Sequence, residues 1–242
     1  MNTFARVAVC LLVFSFPIGV PAGADGINLS WDECGNNGGA SKLFDCDTEI
    51  GANVMFASFD PPAGVDSLAS VAGQIDLVVG SKLPAWWKHG ASMCRGTDQI
   101  AVSADFRALS NCADPFNGQP AGGGYNFTVA AGGNPSRARI MVEHALAIED
   151  RGPVATGTEY YAFQIRIMRE KTTGPGACDG CLEPACIVLN SIDLFQSNGP
   201  TISLFQQLDR NWITWQAPTV TDCPQNTPVR SSTWGRVKSL YR

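Results

Sequence analysis

Signatures of catalysis are missing from this chain. It has only two histidines, His89 and His144, and no G-x-S-x-G, S-x-x-K, H-E-x-x-H or glycine-rich phosphate loop. A Ser-His-Asp site assembles from distant residues, but nothing in the sequence points to one. His144 falls on the apolar side of an alternating segment, which favours a core position. His89 follows Trp86-Trp87-Lys88, which favours an exposed one.

Charged residues and long apolar runs are also scarce. Asp, Glu, Lys and Arg make up 16% of the chain, the net charge is −5, and Lys and Arg form no runs. A mildly acidic chain is a poor match for nucleic acid or an anionic membrane surface, so we predict no nucleic-acid partner. After the first residues no segment approaches 18 consecutive apolar residues, so we predict no membrane span in the mature chain.

The N-terminus predicts export. A positive charge precedes the apolar stretch Val7–Val20, and Ala22-Gly23-Ala24 supplies small residues for cleavage before Asp25. We predict a signal peptide over residues 1–24 and a mature protein that is secreted, extracellular or periplasmic. Removing Cys10 from the nine cysteines leaves eight, an even number that suits disulfides in an oxidising compartment.

Apolar residues recur with period two rather than 3.6, which is typical of strands. Gln74–Val79, Arg139–Ala147 and Tyr161–Arg169 alternate regularly, and a phase slip at Asn190-Ser191 predicts a β-bulge. Clusters typical of turns, including Gly122-Gly123-Gly124, separate the segments. The pattern predicts an all-β fold, an antiparallel and jelly-roll-like β-sandwich. Further strand candidates are Val54–Phe59, Ile202–Phe205 and Trp212–Trp215.

Two short helices complete the predicted fold. Ser103 is a suitable N-cap for a helix over Ala104–Leu109, and apolar residues recur at helical spacing in Thr233–Arg242. We expect the terminal helix to dock its apolar stripe on the sandwich. No repeat and no long linker divides the chain after the signal, so residues 25–242 are predicted to form one domain.

The cysteines predict a disulfide-pinned domain but leave the connectivity open. Local pairing, Cys34 with Cys46 and Cys94 with Cys112, is our preferred prediction because each pair brackets a short, polar, turn-rich loop. The other four cysteines, which can pair in three ways, are Cys178, Cys181, Cys186 and Cys223.

Three interpretations compete for the cluster Cys178–Cys186. A structural disulfide knot is favoured because a strand candidate follows and the predicted compartment is oxidising. A redox dithiol at Cys178-x-x-Cys181 needs a helix N-terminus to lower the pKa of the first thiol, but Pro184 and β-branched residues follow. A zinc site would add Cys223, but a second Cys-x-x-Cys is missing. We predict no cofactor and no metal ligands.

Carboxylates suggest two kinds of site, although solvated strand faces explain them equally well. Two carboxylates flanking a glycosidic bond can hydrolyse it, and the candidates are Glu143, Glu159, Glu170 and Asp193. Alternating acids can supply oxygen ligands to calcium, but the EF-hand spacing is absent. The acids concerned are Asp45, Asp47 and Glu49, with Asp25 and Asp32 upstream.

Tryptophans supply the binding hypothesis. Trp86 and Trp87 are adjacent, so on a strand they would point to opposite faces and at most one would enter the core. An exposed indole stacks on a sugar ring or anchors a protein partner. We predict Trp86 and Trp87 as binding residues for an unidentified glycan or protein ligand. Trp212 and Trp215 would also face opposite sides of a regular strand.

Four segments carry a resemblance to known proteins: Leu29–Cys34, Leu83–Trp87, Cys178–Leu189 and Trp234–Arg242. In these segments the chain resembles a group of uncharacterised secreted bacterial β-sandwich proteins. The resemblance spans nearly the whole mature chain and implies an exported sandwich, but it brings no activity. At the level of fold, Gly73–Leu77 and Glu159–Phe163 are similar to strands of cohesin and carbohydrate-binding sandwiches.

These features together predict a non-catalytic exported β-sandwich. It would act by binding a glycan or a protein, or as an extracellular or envelope structural component. The alternative is a secreted glycan-active hydrolase that uses paired carboxylates. A thiol oxidoreductase centred on Cys178 is the third hypothesis.

Overall fold

Alternating apolar side chains build two packed sheets from residues 25–217, the part of the chain that the computed structural model describes. The predicted signal peptide, Cys223 and the predicted C-terminal helix lie outside these residues. The strands are β1 (Gly26–Trp31), β2 (Ser41–Lys42), β3 (Ala52–Asp60), β4 (Leu68–Val79), β5 (Ile100–Ser103), β6 (Pro120–Val129), β7 (Arg137–Leu146), β8 (Tyr160–Met168), β9 (Ala185–Gln196), β10 (Ile202–Leu204) and β11 (Trp212–Trp215).

The strands form one sheet of four and one of seven. The four-stranded sheet has the order β1-β3-β8-β5. The seven-stranded sheet has the order β2-β11-β9-β4-β7-β6, with β10 paired to β9. Every pairing is antiparallel except that of β11 with β2. The all-β sandwich predicted from the alternation is therefore confirmed.

The two sheets bury their inward faces in one hydrophobic cluster. On β4 the inward residues include Ile75 and Leu77, and on β8 they include Phe163 and Ile165, as the period-two pattern predicts. Gly73 shows how closely the sheets approach, because a β-carbon there would overlap the ring of Phe163 on the opposite sheet. Removal of this apolar surface from water is the main stabilising contribution to the fold.

A β-bulge at Asn190 keeps strand β9 in phase with the core. Ser191 and Leu189 pair with successive residues of β4, which leaves Asn190 without a partner on that strand. Leu189 and Ile192, on either side of the bulge, are both fully buried. The bulge predicted from the phase slip is confirmed, and its extra residue lets both halves of β9 face the core.

The helix predicted over Ala104–Leu109 is wrong. Ser103 Oγ does accept a hydrogen bond from the backbone N–H of Asp105 at 3.0 Å, but the chain then turns. Phe106 is buried and stacks on Tyr161 with ring centroids 4.6 Å apart, so its packing overrides the local preference. The helical pieces within residues 25–217 are 3-10 turns at Gly35–Asn37, Ala85–Trp87, Thr97–Gln99, Ala131–Gly133 and Ile148–Asp150.

Disulfides join segments that are far apart in sequence. The pairs are Cys34–Cys112, Cys46–Cys181 and Cys94–Cys178, with separations of 78, 135 and 84 residues. The local pairing predicted for Cys34 with Cys46, and for Cys94 with Cys112, is therefore wrong. Closing loops of this length stabilises the folded chain by about 4–5 kcal/mol each on the chain-entropy model. Cys186 is disulfide-bonded as well.

The tight sheet-to-sheet contact at Gly73 can be tested by substitution. We expect Gly73→Ala to lower the free energy of unfolding by about 1–3 kcal/mol, because the added methyl group overpacks the core against Phe163. Urea unfolding followed by circular dichroism measures the change. Gly80→Ala is the matched control, since a β-carbon at Gly80 meets no atom within 4 Å. Equal stability of the two variants would contradict the packing described here.

Candidate functional site

Trp86 and Trp87 lie in the core rather than at the surface. They belong to the 3-10 turn Ala85–Trp87 instead of a strand, so they do not alternate between faces, and each is 1% exposed. The expectation that one indole remains accessible is wrong. Neither ring is therefore accessible for the binding role that was predicted for these residues.

The two indoles belong to a buried tryptophan cluster made of Trp31, Phe44, Trp86, Trp87 and Trp215. Trp215 is at its centre, with ring centroids 4.1 Å from Phe44, 4.8 Å from Trp86 and 5.1 Å from Trp87. Its indole N–H donates to the carbonyl oxygen of Cys181 at 2.7 Å. The cluster thus ties the disulfide-bearing loops to the end of the sandwich.

A buried arginine completes the same end of the molecule. The guanidinium carbon of Arg95 lies 4.1 Å from the ring centroid of Trp86, and its Nε donates to Gln99 at 2.9 Å. Its other nitrogens donate to the backbone carbonyls of Trp86 and Met168. Burial lowers the pKa of Arg95 to about 10. Because these donors all point at the protein, Arg95 stabilises the fold and offers no group to a ligand.

The cysteine cluster is structural. Cys178 bonds to Cys94 and Cys181 bonds to Cys46, so the two do not form a dithiol pair with each other. Cys178 and Cys181 are both buried, and Cys186 is also disulfide-bonded. The redox and zinc interpretations are wrong for these residues, because both need free thiolates and these sulfur atoms are in structural disulfides.

Both histidines are buried, which confirms the core position predicted for His144 and contradicts the exposure predicted for His89. His144 lies against Phe116, and burial lowers its pKa. Burial and the nearby Arg95 lower the pKa of His89 to about 3, although the Gly96 carbonyl opposes the shift. Neither ring is exposed to a substrate, so neither is a candidate general base.

Glu159 is part of a polar network beside the four-stranded sheet. Its Oε1 accepts hydrogen bonds from Asn28 Nδ2 at 2.8 Å and from Ser58 Oγ at 2.6 Å. The neighbouring hydroxyl of Tyr161 donates to Glu33 at 2.5 Å, and burial together with this bond raises the pKa of Tyr161. These carboxylates accept hydrogen bonds from the protein itself, so the network is structural. Among the other predicted acids, Glu170 is exposed in the loop after β8.

The acids around Cys46 do not converge. Asp45, Asp47 and Glu49 are all exposed, and Asp45 lies 3.8 Å from the guanidinium of Arg169. Within residues 25–217 no group of three His, Cys, Asp or Glu side chains is arranged to hold a metal ion. The structure therefore gives no support to the calcium interpretation.

A groove crosses the outer face of the seven-stranded sheet. Its volume is about 520 Å³, within the size range of small-ligand sites. Glycines and alanines form the floor, while an amide, a carboxylate and a thioether rise beside it, and Met141 is 43% exposed. We call this surface the glycine groove, and its residues include Ala72, Gly122, Gly124, Asn126, Met141, Glu143 and Ala145.

Strand register places two predicted acids on either side of Ala72: Glu143 lines the groove, and Asp193 lies next to the groove on β9. Asp193 on β9, Ala72 on β4, Glu143 on β7 and Gly124 on β6 are direct cross-strand partners in one row. With a strand spacing of about 4.8 Å, the α-carbons of Asp193 and Glu143 are about 9.5 Å apart. Ser70 Oγ approaches Glu143 at 3.4 Å. Of the four acids predicted from sequence, these two therefore share one surface.

The next row places beside the groove an aromatic ring that was not predicted from the sequence. Phe195, Ser70, Ala145 and Gly122 are cross-strand partners on β9, β4, β7 and β6. Phe195 is 36% exposed, because the alternation that buries Leu194 turns Phe195 outward. The same alternation is visible in the sequence, and it would have identified Phe195 as an outward-facing residue. Trp212 is also outward and half-buried, opposite the buried Trp215 as predicted, but it lies outside the groove.

The triplet Gly122–Gly124 lies inside strand β6 and is not the turn that its composition suggests. Gly123 faces inward, where a β-carbon would overlap the imidazole of His144. Gly122 and Gly124 face outward, where a β-carbon would meet no atom within 4 Å. Packing therefore requires the middle glycine, whereas the outer two leave the groove floor open.

The chain matches no protein-family model, and a search of curated proteins finds no similar sequence. No helix among residues 25–217 is long and apolar enough to cross a membrane. Evidence for a function therefore comes from the fold and from the chemistry of the glycine groove.

Burial of His89 makes stability depend on pH. The pKa is about 3 in the folded protein and about 6.5 when unfolded, so between these values the unfolded chain binds more protons. Stability is therefore complete above pH 6.5 and falls as the pH drops below it. We expect His89→Gln to reduce by about 2 kcal/mol the stability lost between pH 7 and pH 5, measured by urea unfolding at both values. If His89→Gln leaves the pH dependence unchanged, protonation of His89 does not destabilise the folded protein and the explanation is wrong.

Proposed function

We propose that this protein is a non-catalytic, exported glycan-binding protein and that the glycine groove is its binding surface. The observation that carries the proposal is the composition of the two rows across the sheet. They combine an open floor of glycine and alanine, the carboxylate of Glu143 within the groove, and Asp193 and the exposed ring of Phe195 next to the groove on β9. The groove is built on strands, which holds these groups in one arrangement before a ligand arrives.

Sugar rings present two kinds of surface, and the groove has a counterpart for each. Their hydroxyl groups need hydrogen-bond acceptors and donors, which Glu143, Asp193 and Asn126 supply. Their C–H faces need flat apolar contacts, which Phe195 and the exposed thioether of Met141 supply. The floor of glycine and alanine leaves room for a ring to approach the backbone.

Export supports the same proposal. The predicted signal peptide and the disulfides between distant segments both suit a compartment in which disulfides persist. Glycans are abundant ligands in such compartments, whereas the acidic composition disfavours nucleic acid. We propose that the protein acts outside the cytoplasm, in the extracellular space or the periplasm.

One observation favours a second candidate function, glycoside hydrolysis. The α-carbons of Glu143 and Asp193 are about 9.5 Å apart, a spacing from which the two side chains can bring their carboxyl groups within the roughly 6.5–9.5 Å that inverting glycosidases use. In that mechanism one residue protonates the leaving oxygen and the other activates a water molecule. The register places the acids on one surface, but Glu143 is exposed and has no apolar enclosure of the kind that surrounds catalytic acids.

Filling the groove tests the binding surface. We expect Gly124→Gln to abolish most glycan binding, because its side chain would occupy the floor without straining the backbone. Binding is measured on a glycan array and then by calorimetry with the strongest glycan ligand. Gly80→Gln is the matched control, since Gly80 is equally open and lies at the end of β4 away from the groove.

A second pair of variants sharpens that experiment. Phe195→Ala should weaken binding by about tenfold through lost stacking, whereas Leu182→Ala removes an exposed apolar side chain outside the groove and should change nothing. If the wild type binds no glycan, or if Gly124→Gln binds as well as Gly80→Gln, the proposal fails.

Product analysis separates hydrolysis from binding. For the binding function we expect the wild-type protein to leave a bound oligosaccharide intact during long incubation, as judged by chromatography of reducing ends. A hydrolase would instead release product, and Glu143→Gln and Asp193→Asn would each stop the release while the ligand still binds. Product formation that depends on either carboxylate would replace the proposed function with the second candidate.

A further inference from the structure

A second cleft lies on the opposite side of the molecule, on the outer face of the four-stranded sheet. Its volume is about 440 Å³. Val54 and Phe56 of β3 form part of its floor, and Leu109 contributes from the loop after β5. Arg166 and Gln164 of β8 lie beside the floor, directly across from Val54 and Phe56 in the strand register. We call this surface the arginine cleft.

The wall of the arginine cleft is held rigidly. The loop that supplies Leu109 is anchored by buried Phe106, which stacks on Tyr161 at 4.6 Å, and by the Cys34–Cys112 disulfide. Gln164 Nε2 donates to the carbonyl oxygen of Asp105 at 3.1 Å, which joins the loop to β8. The cleft is therefore formed before any ligand binds.

Acids around the cleft already have their own cations. Asp105 accepts hydrogen bonds from Arg107 Nε at 2.9 Å and from its terminal nitrogen at 2.5 Å, and this pairing lowers the pKa of Asp105. Asp32 is paired with Lys42. The negative charges of the cleft are thus matched locally, although the chain as a whole carries a net charge of −5.

The side chain of Arg166 has no acidic partner among the described residues. Among the arginines of residues 25–217, only Arg151 and Arg166 have a side chain without a hydrogen bond or ion pair. Arg151 lies in an open loop, whereas Arg166 lines the cleft beside an apolar floor. A planar guanidinium with free donors is the group best suited to a bidentate carboxylate.

We propose that the arginine cleft binds a small organic acid, whose carboxylate pairs with Arg166 and whose apolar body lies on Val54 and Leu109. The ligand class follows from the two features together: one unmatched positive charge and an adjoining apolar surface. This site is separate from the glycine groove, so it does not depend on the proposed glycan binding. The protein then carries two binding surfaces, one on each sheet.

Benzoate is the probe for this site, with benzamide as its neutral analogue of the same shape. Titration is followed by amide chemical shifts of the isotope-labelled protein. We expect saturable shifts at Val54, Gln164 and Arg166, and at least tenfold weaker binding of benzamide. Arg166→Gln should reduce benzoate affinity at least tenfold, whereas Arg151→Gln, which removes the other unpaired arginine, should leave it unchanged.

Each remaining outcome overturns the proposal. Benzoate shifts that do not saturate, or that are matched by benzamide, would show that the charge of Arg166 is not used. Inorganic phosphate competing as well as benzoate would show attraction to charge without use of the apolar floor. Arg166 is exposed on its strand, so the spectrum of Arg166→Gln should show the wild-type fold, and normal benzoate binding by that variant would also refute the site.

Discussion

The register of strand β4 is the constraint on which the rest of the structure depends. This strand pairs with β9 on one side and β7 on the other, so its alternation decides what faces the core and what faces solvent across half of the larger sheet. Gly73 faces inward against Phe163, while its neighbour Ala72 lies on the floor of the groove. A slip of one residue would exchange these roles and turn the β4 face that carries Gln74 and Asp76 towards the core. The Asn190 bulge is what allows β9 to follow this register along its whole length.

Much of the framework could be predicted from sequence because it depends on local alternation. Strands, the bulge and the burial of His144 all follow from which residues are apolar at period two. The disulfides could not, because they depend on pairing between distant strands. Cys46 follows β2 and Cys181 precedes β9, and β11 lies between these two strands in the sheet. Only that arrangement brings together sulfur atoms that are 135 residues apart.

In the candidate site, too, some features follow from local alternation and others from the order of distant strands. Outward placement of Glu143, Asp193 and Phe195 follows from the alternation of their own strands. Their gathering on one surface requires the order β9-β4-β7, which no local pattern specifies. The tryptophan prediction failed for a different reason: it assumed a strand at Trp86-Trp87, whereas the chain makes a 3-10 turn that directs both rings into the cluster around Trp215. Adjacent large aromatics report their exposure only when the backbone geometry is known.

Groove shape bears on the choice between recognition and bond cleavage. A carboxyl group that donates a proton at neutral pH must be held neutral, usually by an apolar pocket that excludes water. Glu143 rises from a floor of alanine and glycine, is exposed, and has Ser70 Oγ at 3.4 Å as its nearby polar partner. The side-chain-poor floor that admits a ring therefore withholds the enclosure that acid catalysis requires. Carboxylate oxygens in such an open groove can accept hydrogen bonds, which is the property that binding a polyhydroxylated ligand needs.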